Sequence, residues 1–150
     1  MGVPQSLLDA LPPPPAPVAM FRPYRISGKM VYLSGLAPLD DDGTPMTGKV
    51  GQEVSVQEAR HRARRVGLAL LSNLQAAVGD LGRVDHVVKL LGFVNATPEF
   101  TEHPLVIDGC SEVFVEAFGH ESGTHARSSM GVTSLPGGIS CEVEAIIALK

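Results

Sequence analysis

The 150-residue chain is 44% hydrophobic and 19% charged, with a formal net charge of −4. That length holds one domain whose core needs no disulfide or metal staple, and the composition excludes intrinsic disorder. A pI of about 5.7 and only 5% aromatic residues, with no Trp, argue against nucleic-acid binding, which needs a concentrated basic surface and stacking platforms. No apolar run approaches the roughly 18 residues of a membrane span. The N-terminus lacks a basic segment, and its apolar stretch is broken by Asp9 and Pro12–Pro15, so no secretory leader is read and a cytoplasmic location is expected. Cys110 and Cys141 lie too far apart for a CxxC site and read as small buried apolar side chains in a reducing compartment.

In chain order, residues 1–17 form a proline-rich tail, with Pro12–Pro15 and Pro17 favouring polyproline II, either as a stiff arm or as a docked extension. Residues 18–150 form a single domain. Ser27-Gly28 predicts a turn between a strand near Tyr24–Ile26 and a strand over Met30–Ser34. Asp42-Gly43 suggests a second hairpin, with a third short strand near Met46–Val50. Ser55 and Glu58 form a capping box ahead of a helical stripe of Val56, Ala59, Ala63, Val66, Leu70, Leu74 and Ala77, with Gly79 as the stop. Its other face, with Arg60, His61, Arg62, Arg64 and Arg65, reads as solvated. Val84–Asn95 predicts a largely buried strand. Pro104 opens a second helix over Leu105–Phe118, ended by Gly119, in which Gly109 points to close backbone packing. Two strands finish the chain: Arg127–Leu135, and then one whose Cys141, Val143, Ala145 and Ile147 face opposite to Glu142 and Glu144. The order βββαβαββ, with both helices on one sheet face, is an α+β two-layer domain.

Common catalytic signatures are missing: there is no Walker loop, GxGxxG, HExxH or GxSxG. His120 and His125 lack a third ligand, so no metal is expected. Arg127 stands where a Gly-containing loop enters a strand, followed by Ser128 and Ser129. Its guanidinium fork could receive a carboxylate or form a surface salt bridge. Glu142 and Glu144 are solvated or paired unless another subunit covers their face.

The segment His125–Pro136 (His-Ala-Arg-Ser-Ser-Met-Gly-Val-Thr-Ser-Leu-Pro), followed by Cys141-Glu142-Val143-Glu144-Ala145-Ile146, resembles the C-terminal signature of the Rid family. These are the reactive-intermediate (enamine/imine) deaminases, also called YjgF-type or L-PSP proteins. Pro23-Tyr24, Tyr32-Leu33-Ser34-Gly35, Gly48-Lys49-Val50-Gly51, Phe93-Val94-Asn95 and Phe118-Gly119 extend the similarity over about Phe21–Leu149. The resemblance implies a chorismate-mutase-like fold with a mixed sheet, assembled as a homotrimer with active sites between subunits, and neither metal nor organic cofactor. It implies hydrolysis of 2-imino acids to 2-oxo acids and ammonia.

Arg127 matches the family's substrate-binding Arg, and Glu142 the Glu that activates water and relays protons. Gly35 and Ser129 match backbone-contact positions, and Tyr24 matches the pocket-lining Tyr. Many deaminase-competent members carry Cys at the position of Ser129. The segment Ile107–Glu112 departs from archetypal members and suggests a divergent subgroup with a pocket reshaped around Phe114, Phe118 and His125; for His125 a loop-capping role is favoured. Alternatives are a deaminase of a larger aminated diacid such as 2-aminomuconate, or a non-catalytic trimer that binds small carboxylates or serves regulation. The endoribonuclease activity attached by name to some relatives fits the acidic, aromatic-poor chain least.

Overall fold

The computed structural model describes residues 2–150. Strands β1 (Tyr24–Ser27) and β2 (Met30–Leu36) form the expected hairpin, and helix α2 (Val56–Val78) follows. Strand β3 (Val84–Asn95), helix α3 (His103–Gly123), and strands β4 (Ala126–Val132) and β5 (Cys141–Leu149) complete the domain. One short helix, α1 (Gln5–Asp9), precedes them. The sheet order is β1-β2-β5-β3-β4, antiparallel except for β3 and β4, which are parallel and joined through α3. This is the mixed sheet of an α+β domain, with α2 and α3 packed together on one face.

Helix α2 starts as its capping box dictates, with Ser55 Oγ accepting from Glu58 N–H. It ends at Gly79, whose φ of 79° is open to glycine at little cost. Its stripe of Ala59, Ala63, Val66, Leu70 and Leu74 is buried against the sheet and α3. The helices approach closely because Gly109 has no side chain: a Cβ there would collide with the Arg60 carbonyl oxygen. On β5, Cys141, Val143, Ala145 and Ile147 are buried under the helices, while Glu142 and Glu144 lie on the opposite face. Both cysteines are free and buried, and burial pushes both thiols up, that of Cys141 to about 12.

Three expectations, the third strand and the ends of the second helix and of the following strand, are corrected. The third strand near Met46–Val50 does not form; Thr47 and Val50 make only isolated bridges, to Ile139 and to Val54 and Ala96. Pro45 lacks an N–H, and Gly48 and Gly51 take positive φ, which breaks an extended ladder. The strand order is therefore ββαβαββ.

Of the two readings of the tail, the docked extension is the one seen: α1 buries Leu7 in the core, and Ser72 Oγ on α2 donates to the Pro12 carbonyl at 2.5 Å. Helix α3 resumes for a further turn after a kink at Gly119, and β4 stops at Val132. The arginine face of α2 is solvent-facing, and its charges are paired. Arg60 and Arg64 pair with Glu112 and Glu116 of α3, Arg62 with Glu58, and Arg65 with Asp41. No helix is long and apolar enough to cross a membrane among the described residues.

Candidate functional site

Arg127 is the second residue of edge strand β4, in register with Leu90 of β3, whose side chain is buried under the helices. Partners in register share a sheet face, so Arg127 also projects to the helix side. The β3–α3–β4 crossover lays the N-terminal half of α3 beside it. There Nη1 donates to Asp108 Oδ1 at 2.8 Å and to Ser111 Oγ at 3.0 Å, and Nη2 donates to the Pro104 carbonyl at 3.3 Å. Of the two readings of Arg127, an ion pair is thus made within the chain, with the side chain one-fifth exposed. Asp108 and Ser111, three apart on one helix face, are the site residues that sequence reasoning missed. Their spacing was visible; their partner across the crossover was not.

His125 extends this cluster. Its Nδ1 lies 2.7 Å from the Gly123 carbonyl and its Nε2 lies 2.9 Å from Ser111 Oγ. A carbonyl only accepts, so Nδ1 carries the proton, and in the neutral ring Nε2 accepts from the Ser111 hydroxyl. Ser111 in turn accepts from Arg127, giving one direction of donation through the cluster. Burial holds the imidazole below its ordinary value; the Gly123 carbonyl opposes this and the Arg127 charge adds to it. His125 therefore braces the turn into β4. It also lies against Phe114, with ring centres 6.4 Å apart, and Phe114 stacks on Phe118 at 6.5 Å. Phe114 is fully buried, Phe118 packs partly buried against the core and His125 is partly buried; neither of the two cavities described below is lined by them.

Glu142 lies on the other face of the sheet. It pairs in register with Phe93 of β3, and Phe93 with Met130 of β4. Met130 is three residues beyond Arg127, which places Glu142 and Arg127 on opposite faces. Gly35, at a bulge in β2, lets the Glu142 side chain lie flat: a Cβ at position 35 would stand 3.0 Å from Glu142 Cγ and Cδ. Glu142 makes no ion pair or hydrogen bond to another described side chain. Burial raises its carboxyl above the ordinary range and neighbouring Glu144 adds to the rise. On the same open face Tyr32 and Met130 are each close to half exposed.

The structure brings Gly35 and Glu142 together and keeps Ser129 on the strand of Arg127, where Ser129 Oγ is buried without a partner. It does not unite the whole predicted set. Tyr24 lies on β1 and Arg127 on β4, the two edges of a five-stranded sheet. Four strand spacings separate those edges by roughly 19 Å. A cavity of about 590 Å³ lies elsewhere, between Pro12–Pro15, the Asp40–Asp42 turn and α2. A second, of about 310 Å³, lies beside Lys49, Phe100 and His103.

The mixed five-stranded sheet carrying two helices on one face is a two-layer α+β architecture, and the family match places it in the chorismate-mutase-like class. The family model described as "YjgF/chorismate_mutase-like, putative endoribonuclease" matches residues 7–148. The chain is a member of this YjgF/Rid family. It is 43% identical over 146 residues to Protein TCP17 of Trypanosoma cruzi, covering 97% of this chain and 91% of the relative. It is 32% identical over 120 residues to the 2-iminobutanoate/2-iminopropanoate deaminase of Salmonella typhimurium, covering 79% of each. The crystal structure of a "putative endoribonuclease" from Shewanella oneidensis superposes with a TM-score of 0.91 at 30% identity, over 99% of this chain and 100% of that one.

Proposed function

We propose that the protein is a cofactor-independent hydrolase that converts 2-imino acids to 2-oxo acids and ammonia, acting as a homotrimer with its sites between subunits. The observation that carries the reading is Glu142. It is an unpaired, partly buried carboxyl with a raised pKa, on a sheet face whose apolar residues are left uncovered by the chain's own helices. A carboxyl tuned upward is suited to take a proton from water and return it near neutral pH.

In the proposed reaction Arg127 holds the substrate carboxylate through charge-assisted hydrogen bonds. Glu142 removes a proton from a water whose oxygen adds to C2 of the imine, and the C=N π electrons become a lone pair on nitrogen. Proton return to nitrogen gives a carbinolamine. In its collapse the Glu142 carboxylate takes the hydroxyl proton and passes it to nitrogen, the C2=O bond forms and the C2–N bond breaks, releasing ammonia. Gly35 keeps the space beside the carboxyl clear, while Ser129 and Tyr24 line the substrate's path.

Arg127 and Glu142 face opposite sides of one sheet, so the site requires Arg127 of one copy and Glu142 of another. Membership in a family that includes an imine deaminase supports the chemistry. The endoribonuclease label of some relatives finds less support, because Arg60, Arg62, Arg64 and Arg65 are all engaged by carboxylates of the chain itself. The test is to generate 2-iminobutanoate or 2-iminopropanoate in situ with an amino-acid oxidase and follow imine loss. The wild-type protein should accelerate it, Arg127→Ala should abolish the acceleration, and Glu142→Ala should reduce it at least a hundredfold. An unchanged rate with wild-type protein across a panel of imino acids would sink the deaminase reading.

A further inference from the structure

We infer that the cavity of about 590 Å³ between the proline segment and α2 binds a small organic cation, an amine carrying an apolar, ring-sized body. Neither Arg127 nor Glu142 lines it, so the inference stands apart from the proposed hydrolysis. Its volume falls in the range of small-molecule sites.

The sequence of the wall keeps this cavity open. Pro12, Pro13 and Pro14 are each followed by another proline, which together with the fixed φ of the ring forces a stiff, extended segment. The segment is anchored at its start, where α1 seats Leu7 in the core and Ser72 holds the Pro12 carbonyl. It cannot bend down onto Leu68 and Ala69 of α2, and the space between them stays part of the fold. A site preformed in this way demands little ordering when a ligand enters.

The lining sets the chemistry of that ligand. Leu39, Leu68 and Ala69 join the proline rings in an apolar interior, and proline surfaces pack well against aromatic rings. Proline has a carbonyl but no N–H, so four consecutive prolines offer acceptors only. The carbonyls of Pro13, Pro14 and Pro15 accept no backbone hydrogen bond from the described residues. At the rim stand three carboxylates and one guanidinium, those of Asp40, Asp41, Asp42 and Arg65. Arg65 matches one of the three charges: Nη2 donates to Asp41 Oδ1 at 2.9 Å, while Nε donates to the Leu39 carbonyl at 2.6 Å. Asp40 is fixed by its own turn, with Oδ1 accepting from the N–H groups of Asp42 and Thr44, both at 2.9 Å. Asp42 makes no ion pair among the described residues.

Carboxylates on a bare turn would be solvated and select nothing. Here they border an apolar space whose opposite wall also lacks donors. A ligand that answers all three features donates hydrogen bonds, carries positive charge and buries an apolar ring. A carboxylate or phosphate would meet excess negative charge and a wall of acceptors.

The test titrates 2-phenylethylamine, 2-phenylethanol and 3-phenylpropanoate into the intact protein and follows the amide NMR signals. The amine should shift the resonances of residues 39–43 and 65–69. The alcohol should act on them at least tenfold more weakly, and the carboxylate should leave them in place. Asp42→Asn, on an exposed turn, should weaken the amine about fivefold and leave the alcohol unchanged. Leu68→Trp should fill the cavity and abolish binding of both, with the remaining spectrum showing that the variant is folded. Absence of these shifts when the amine is added to wild-type protein overturns the inference. So does equal binding of amine and alcohol, or amine binding that Asp42→Asn leaves as in the wild type.

Discussion

The two faces of the sheet solve different problems with neighbouring residues of the same strands. Under the helices, Val143, Ala145 and Ile147 of β5 are sealed by α2 and α3, and Arg127 at the margin is braced by Asp108, Ser111 and Pro104. On the open face, Glu142 has no such bracing, and Tyr32 and Met130 remain uncovered. A folded chain can satisfy its own interior, so the covered face is complete in one copy. The open face carries an unpaired carboxyl and exposed apolar side chains, the arrangement of a surface that awaits another molecule. Stability should therefore reside on one face and chemistry at the boundary with a second copy.

The sharpest way to break that contrast is to mix two inactive variants. Arg127→Ala and Glu142→Ala should each lose the proposed imine-hydrolysing activity, yet if the protein assembles as the proposed trimer, mixed trimers should regain roughly a quarter of the wild-type sites, as random mixing in a ring of shared interfaces predicts. No recovery after co-refolding would place both residues in one subunit's site and contradict the separation described above.

Next in size are core substitutions, read by chemical denaturation. Gly109→Ala forces a Cβ onto the Arg60 carbonyl and should destabilise by about 3 kcal/mol or more. Leu70→Ala, fully buried, should cost about 3 kcal/mol. On the open face, Gly35→Ala displaces the Glu142 carboxyl and should lower kcat/KM by roughly tenfold, while the denaturation midpoint hardly moves. A loss of stability without loss of activity would invert the assignment of the two faces.

Proton linkage separates the faces again. In the proposed reaction Glu142 is a base only when ionised, so kcat/KM should rise with pH through a pKa above the ordinary carboxylate range, and Glu144→Gln should move that limb downward. His125 acts on stability instead. Its folded pKa lies below the unfolded value of 6.5, so the unfolded chain binds more protons between the two, and stability is lost as pH falls through that window. His125→Gln should flatten this part of the melting-temperature profile. The smallest effect belongs to the helix pairs: Arg64→Ala should cost under about 1 kcal/mol, because its bridge to Glu116 is well exposed.

Much of the covered face was legible along the chain. The capping box at Ser55, the stripe of α2, the 12-residue strand β3 and the alternation of β5 are local patterns, and each sits where its period placed it. The missing third strand and the docked α1 were less legible. The first failed on the backbone of Gly48 and Gly51. The second is a five-residue helix, too short to announce itself without the core that receives Leu7. Among site residues, Arg127 and Glu142 stood out by type and by family resemblance. Asp108 and Ser111 did not, because their significance comes from a crossover that returns β4 beside α3.

By itself, then, the sequence determined the two long helices and the buried stripes, which rest on short-range periodicity and capping, and its motif blocks carried the family resemblance and the residue types available for chemistry. Only the tertiary structure decided which side of the sheet each residue occupies relative to the others. Sheet side depends on strand order and register, and these are long-range properties. They leave Arg127 beside Asp108 under the helices and Glu142 bare on the far face, with a single chain unable to join them.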